Sequence, residues 1–287
     1  MSNKIIQEKI GKLSLVATPI GNLEDITYRA VRVLSECDYI VCEDTRTTQR
    51  LLERYNIKDQ DENKSKDDVQ KNKTLLTFHA NSTDREINKI INLLQEGKHL
   101  CYVSDAGTPT ISDPGVLLVN KIREINNKNT WDGSIPLSYG EGLGERLSIE
   151  SIPGPSAVTT AYSLSGAVGN NFIFWGFMPH KKGRETMIKS ILENSMTSIV
   201  YESVHRVEKL LESFNKFENQ MSEDSSVNSP SLIKRGLGGV FVPREYVVCR
   251  ELTKIYEEVA MGEIQKVINY FKNNPDKVRG EFVIVIK

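Results

Sequence analysis

No stretch of the 287 residues approaches the roughly 18 consecutive apolar positions that a membrane-spanning helix needs. The opening residues, MSNKIIQEKIGK, lack the apolar core of a secretory signal, so a cytoplasmic location is expected. Cysteine is scarce. Cys37, Cys42, Cys101 and Cys249 stand apart among hydrophobic neighbours and form no CxxC pair, which argues against a disulfide framework or a thiolate zinc site and predicts buried free thiols. The 4 histidines are as scattered, with no metal-ligand spacing, so no metal is expected. Net charge is also lacking: 37 Lys and Arg face 38 Asp and Glu. That balance excludes a globally basic nucleic-acid binder and leaves only local patches. Two are visible, His180-Lys181-Lys182-Gly183-Arg184 and the arginines Arg29, Arg32, Arg46, Arg50 and Arg54. On charge alone they read equally well as solvated faces balanced by Glu24, Asp25, Glu36, Glu43 and Asp44.

What is present is an ordinary globular composition, 39% hydrophobic and 26% charged, long enough for two domains. The stretch Tyr102 to Gly115, YVSDAGTPTISDPG, stands out because an apolar run empties into residues that no strand or helix interior selects. Gly107 and Gly115 let main chain approach a ligand, and Asp113-Pro114 reads as the start of a helix through Val116, Leu117, Val119 and Ile122. One such loop is a tight connection as readily as a ligand site. Two more shift the balance: Thr18-Pro19-Ile20-Gly21-Asn22 after the apolar run Leu13 to Ala17, and Pro153-Gly154-Pro155-Ser156-Ala157 after Ile149 to Ile152. In open α/β sheets the crevice outside the carboxyl ends of the strands is where small molecules bind.

Further strands are expected at Tyr39 to Cys42, Leu75 to Phe78 and His99 to Val103, alternating with helices. Thr27 is placed to cap the first helix, and Thr83 with Glu86 forms a capping box. The fold class is therefore α/β, with a mainly parallel, helix-flanked first sheet. Beyond Gly169 the pattern changes to strands at Phe172 to Phe177, Ser198 to Tyr201, Tyr246 to Cys249, Ile255 to Ala260 and Phe282 to Ile286. Fewer helices separate these strands: one near Glu185 to Leu192, one from Val204 to Phe214 and one from Ile264 to Phe271. This predicts a second α/β domain with a mixed sheet, the division being 1–168 and 169–287. Three polar segments interrupt the plan, about 58–74, 126–148 and 218–240. The first, nearly all charged and polar with Val69 its one aliphatic side chain, is expected to be a dispensable insertion.

The motifs LVATPIGNLEDIT, VCEDTRTT, VSDAGTPTISDPG, IPGPSAVTTA, YESVHR, RELTK and GEFVIVI, in that order, resemble the small-subunit ribosomal RNA (cytidine-2′-O)-methyltransferase family of the tetrapyrrole methylase superfamily. The set is specific, although PxGN or PGP alone means little. The resemblance implies a two-domain tetrapyrrole methylase-like fold, each domain a mostly five-stranded sheet flanked by helices, and a non-Rossmann methyltransferase. It implies S-adenosyl-L-methionine held in the cleft between the domains, a homodimer, and a cytidine of the small ribosomal subunit's 16S RNA as substrate. Carried over by motif, the cofactor residues are Thr18, Pro19, Ile20 and Gly21; Asp105, Ala106, Gly107, Thr108, Pro109 and Ile111; Pro153, Gly154, Pro155, Ser156 and Ala157; and Tyr201, Glu202, Ser203 and Leu252.

A ribose hydroxyl is a poor nucleophile, so its attack on a methyl group needs a positioned base. Glu43, Asp44, His79, Glu202 and Glu251 are the candidates at strand ends, with Arg46 or Lys254 available to hold a phosphate or developing negative charge. Each has a plainer reading: Asp44 can cap a helix, His79 can be a core residue, and Glu251 can pair with a neighbouring cation. For RNA contact the candidates are Lys181, Lys182, Arg184, Arg46 and Arg50. Two rival functions are a methylase acting on a porphyrin-like ring and a non-enzymatic nucleotide-binding module.

Overall fold

The computed structural model describes residues 11–58, 73–128, 147–224 and 244–287. Its contacts divide the chain into two units, Met1–Ser156 and Ala157–Lys287. In the first unit, strands β1 (Lys12–Val16), β2 (Tyr39–Cys42), β3 (Leu75–Thr77), β4 (His99–Val103) and β5 (Ser148–Ile152) form one sheet in the order β3-β2-β4-β1-β5. Every pairing in it is parallel. The carboxyl ends of all five strands, and the loops that leave them, therefore lie along one edge.

Alternation along the strands explains why both faces are covered. Leu13, Leu100 and Tyr102 pack with Leu118 and Ile122 of α4 (Gly115–Lys128) and with Ile90 and Leu94 of α3 (Asp84–Gln95). Val16, Ile40, Cys42, Cys101 and Val103 point the other way, against Ala30, Val33 and Leu34 of α1 (Tyr28–Glu36) and Leu52 of α2 (Thr45–Arg54). A parallel sheet buried on both faces is what these near-continuous apolar runs encode. The expected caps are in place: the Thr27 hydroxyl accepts from Ala30 N, and Thr83 and Glu86 form a reciprocal capping box at α3. Low on the second face, Ser14 Oγ donates to Glu150 Oε1 at 2.6 Å and lies 2.7 Å from His99 Nε2. Burial, then the charge of Lys12, pushes His99 down to about 4, so a neutral imidazole and a wholly buried hydroxyl clasp β5, β1 and β4 together.

The second unit holds α5 (Ala157–Ser165), β6 (Phe172–Phe177), α6 (Arg184–Glu193), β7 (Thr197–Ser203), α7 (Val207–Asp224), β8 (Tyr246–Arg250), β9 (Glu258–Gly262), α8 (Ile264–Asn273) and β10 (Glu281–Ile286). Its sheet runs β6-β7-β10-β8-β9 and is mixed: β6 and β7 are parallel, the other pairs antiparallel. Val200, Val248 and Ile284 meet Leu210, Leu211 and Phe214 of α7 and Val267, Ile268 and Phe271 of α8 in one core.

Several expectations need correction. The helix expected at Val204 to Phe214 is α7, which starts after the YESVHR segment and continues to Asp224, so the polar segment near 218–240 begins inside a helix. Likewise α4 reaches Lys128 and β5 begins at Ser148, so the segment of 126–148 is shorter at both ends. Asn126 joins those ends, donating to Leu147 O at 2.9 Å and accepting from Leu147 N at 3.1 Å. Lys73, counted with the charged insertion, is buried and donates to Cys37 O at 2.6 Å. The interiors of the three segments, 59–72, 129–146 and 225–243, lie outside the described residues. The strand expected from Ile255 starts only at Glu258, and Ile255 and Tyr256 sit in the turn before it. The contacts also group α5 with the second sheet, through β10, whereas the sequence pattern set the division near Gly169.

Candidate cofactor and substrate site

Because β4, β1 and β5 are adjacent, the three Gly/Pro loops emerge side by side from the first sheet. They are also knitted together. Thr18 N donates to Gly107 O and Gly107 N to Thr18 O, both at 3.0 Å, making a two-residue bridge between the first and second loops. Thr18 Oγ1 donates to Ser104 O at 3.3 Å, and Thr108 Oγ1 donates to Pro155 O at 2.9 Å, which ties in the third. Gly107 has φ +80, and a Cβ there would lie 3.2 Å from Ile20 Cγ2. A side chain at this point would therefore be strained and would press on the neighbouring loop. Thr18, Ile20, Gly107 and Pro109 are buried, Pro19, Thr108, Pro155 and Ser156 are partly covered, and Gly21, Asp105, Ala106, Ile111, Pro153 and Gly154 are exposed. Ala157, the last residue of the third motif, opens α5. The result is a platform of fixed main chain with few long side chains, of the kind that can hold a small ligand through its backbone.

The second loop is anchored from below. Asp113 accepts from the Tyr102 hydroxyl at 2.9 Å, from Thr110 N at 2.6 Å and from Gly115 N at 2.9 Å. Burial, then the neighbouring Asp113, pushes the Tyr102 hydroxyl well above its usual range, so it remains a donor. Neither this clasp nor Ser104, whose hydroxyl reaches Gly107 O at 3.2 Å, was singled out in the sequence. The only local signal was the Asp-Pro pair at the start of a helix.

At the end of β2 the candidates separate by their partners. Asp44 caps α2, accepting from Arg46 N at 2.8 Å, and its carboxylate pairs with Arg46 Nη2 at 2.8 Å. Arg46's hydrogen bond lowers Asp44 to about 2. Asp44 N in turn donates to Asp105 Oδ1 at 3.2 Å, joining the β2 end to the β4 loop. Glu43 differs from Asp44 beside it. Among the described residues its carboxylate has no hydrogen bond or ion pair, and burial, followed by the charges of Asp105 and Asp113, raises its pKa above the ordinary carboxylate range. His79 is fixed in its own turn, with Nδ1 accepting from Asn81 N at 3.2 Å.

In the second unit Glu202 is fully buried, and arginines occupy both its oxygens: Arg184 Nη1 at 3.0 Å and Arg206 Nη2 at 2.7 Å. That corrects two expectations. Glu202 has no free oxygen with which to accept a substrate proton, and Arg184 is turned inward, where it also donates to Pro179 O at 3.1 Å, rather than outward toward RNA. Arg206, which donates to Met178 O at 3.3 Å, completes the arrangement, and the sequence reading missed it although it lies within YESVHR. The triad holds the 178–184 loop against the β7 end and leaves Lys181 and Lys182 exposed upon it. Replacing Glu202 with Gln is expected to lower unfolding free energy by about 3 kcal/mol, since two partly buried guanidinium groups lose their buried counter-charge. Denaturant melts check this, and an unchanged midpoint would show the pairs to be incidental.

Glu251 is occupied too, by Lys254 Nζ at 2.8 Å, with Glu281 on the same ammonium at 3.0 Å. Burial opposes ionisation of Glu251, but Lys254 and the Glu281 amide outweigh it and hold its pKa below the ordinary range. Tyr201 and Ser203 lie at the end of β7 and Leu252 is buried just past β8, all at the edge where β10 begins. Arg50 is exposed on α2.

Residues 12–130 match the family profile described as Tetrapyrrole (Corrin/Porphyrin) Methylases. The protein named Ribosomal RNA small subunit methyltransferase I of Thermotoga maritima is 34% identical over 96% of this chain and 98% of its own length. Proteins of the same name from a Hydrogenobaculum species and Bacillus subtilis are 34% and 33% identical, covering 96% and 97% of this chain and 95% and 75% of theirs. Among solved structures, a cobalamin biosynthetic enzyme, cobalt precorrin-4 methyltransferase, superposes with TM-score 0.55 at 14% identity, over 96% of this chain and 94% of its own. Uroporphyrin-III-C-methyltransferase from Thermus thermophilus does so with TM-score 0.53, at the same identity and coverage. At that identity the likeness is one of fold.

Proposed function

Because the chain belongs to the ribosomal RNA small subunit methyltransferase I family, we propose that it transfers a methyl group from S-adenosyl-L-methionine to the 2′-hydroxyl of a cytidine in small-subunit ribosomal RNA. The observation that carries the reading is the bridged platform of three loops at the carboxyl edge of a parallel sheet, the edge at which small molecules bind in open α/β folds. When bound, the cofactor supplies an electrophilic methyl on a sulfonium. The chain's own contribution is then orientation, exclusion of water and removal of a proton. Thr18, Gly107, Thr108 and Pro155 fix the platform, and Glu43 is the carboxylate at its border with an oxygen free to accept a proton. Lys254 remains charged beside Glu251 and Glu281 and is suited to a phosphate. A cytoplasmic location, where the proposed substrate is made, and the homodimer that the family resemblance implies are part of this reading.

The test is transfer of tritiated methyl from S-adenosylmethionine to purified small subunits, naked ribosomal RNA and a precorrin-type ring, with nuclease mapping of the label. Label in a 2′-O-methylcytidine of the small-subunit RNA is expected. Label in the ring with none in RNA would replace the reading, and cofactor binding without transfer would reduce the protein to a binding module. In the same assay, Lys181→Ala with Lys182→Ala should weaken substrate binding at low salt and less so at moderate salt, because the lost contribution is counterion release.

A further inference from the structure

The turn between β8 and β9 carries two large apolar side chains in water. Ile255 is 94% and Tyr256 73% exposed, while the residues on either side are tied down. Glu251 and Thr253 both adopt left-handed backbone, φ +51 and +67, although neither is glycine. Conformations of this kind are strained for residues with a side chain and persist only where the surroundings impose them. Here they are imposed by main-chain bonds from Glu251 N to Glu281 O (3.0 Å), Lys254 N to Glu251 O (2.9 Å) and Glu257 N to Lys254 O (3.0 Å). Side chains add to these: Thr253 N donates to the Glu257 carboxylate, Glu281 N donates to Glu251 Oε1 at 3.1 Å, and Lys254 bridges Glu251 and Glu281. Gly280 allows the Glu251 carboxylate this position, since a Cβ there would sit 2.0 Å from Oε1. In this clamped, strained turn Leu252 is buried, whereas the Ile255 and Tyr256 side chains add little to the core of their own unit.

We propose that this turn is a rigid stacking platform for an unstacked nucleotide of the RNA substrate, with the Tyr256 ring on the base and Ile255 against its edge or sugar. The proposal rests on the RNA reading above. The setting favours a nucleotide over a protein surface. Phe282 pairs with Glu202 on one side and Arg250 on the other, so the β7 and β8 ends share one edge of the sheet. The 178–184 loop, with exposed Lys181 and Lys182, follows β6 at that same edge. Strands are about 4.8 Å apart, so the ends of β6 and β8, which lead into the lysine loop and the Tyr256 turn, lie roughly 15 Å apart along one edge of one unit. Single-stranded RNA is recognised by this pairing of positive charge with an exposed ring, and a ring carried on a fixed backbone has less entropy to lose when a base stacks on it.

The test measures the apparent affinity of Tyr256→Ala, Tyr256→Phe and the parent protein for small subunits, in the methyl-transfer assay at low and moderate salt. Tyr256→Ala should weaken subunit affinity about tenfold by the same factor at both salts, Tyr256→Phe should stay within about twofold, and cofactor affinity should not change. The salt-independence separates stacking from the lysine contacts, whose contribution shrinks as salt rises. A Tyr256→Trp protein should also lose indole fluorescence on adding subunits but not on adding cofactor. Parental affinity in a folded Tyr256→Ala protein that methylates subunits would overturn the platform while leaving the RNA reading intact. Dissociation of Tyr256→Ala into monomers with parallel loss of activity would overturn it in favour of a second copy of this chain. A parent protein that neither binds nor methylates subunits would remove the RNA reading and the platform with it.

Discussion

A Gly107→Val protein is expected to fold and to bind S-adenosylmethionine about a hundredfold more weakly than the parent. Valine resists φ +80 because its branched Cβ meets the following carbonyl, and here Cβ would also lie 3.2 Å from Ile20 Cγ2, with Pro155 O at 3.7 Å. Relieving the strain means rotating the 107 peptide, which breaks one or both of the Thr18–Gly107 hydrogen bonds and lets the first two loops part. Strain of about 2–3 kcal/mol taken up by the binding-competent loop is about a hundredfold in affinity. The hydrophobic core lies below this edge, among Val16, Val103 and Ile152, so the far-ultraviolet spectrum should be retained. Gly107→Ala should fall between the two proteins, since it carries the φ penalty without the second methyl groups. Calorimetric titration decides: full affinity in a folded Gly107→Val protein would separate this loop from the cofactor.

How much of this site could be read in the sequence depended on how local its causes are. The three loops were legible because each follows an apolar run and announces itself with Gly and Pro, and the α3 capping box was legible because Thr83 and Glu86 are three residues apart. The pairing of β1 between β4 and β5, which brings the loops together, is a long-range choice that no short window contains. Glu202 illustrates the loss. At a strand end it looks like a base, but Arg184 reaches it from 18 residues away, and that pairing turns a candidate RNA cation into a structural one. Lys73 looked like part of a solvated run and is instead buried on the Cys37 carbonyl. Ile255 and Tyr256 extended an apolar alternation that predicts strand, and they are expelled because Glu251 and Thr253 take left-handed conformations usually left to glycine. In each case tertiary contacts overrode a pattern that was sound locally.

Glu43→Gln should lower kcat for methyl transfer by about 10²–10⁴ with little change in cofactor affinity, the range expected when a positioned base is removed. The assignment comes from the occupancy of its rivals. Asp44 is held by Arg46, Glu202 by Arg184 and Arg206, and Glu251 by Lys254, while Glu43 alone of the four has both oxygens without a partner among the described residues. Its environment also favours the proton. Burial disfavours the carboxylate, and Asp105 and Asp113 add like charge, so its pKa lies above the ordinary carboxylate range. The sign of the pH effect follows. Only the ionised form accepts a proton, so activity should be full above that raised pKa and should fall as pH drops through it, earlier than an ordinary carboxylate would allow. Asp105→Asn removes the largest like-charge contribution and should move the acid limb to lower pH. In Glu43→Gln the limb should vanish from the residual activity. A pH–rate profile of the three proteins on small subunits tests both statements. An acid limb that persists unshifted in Glu43→Gln would assign the proton transfer to another group, with His79 the next to substitute.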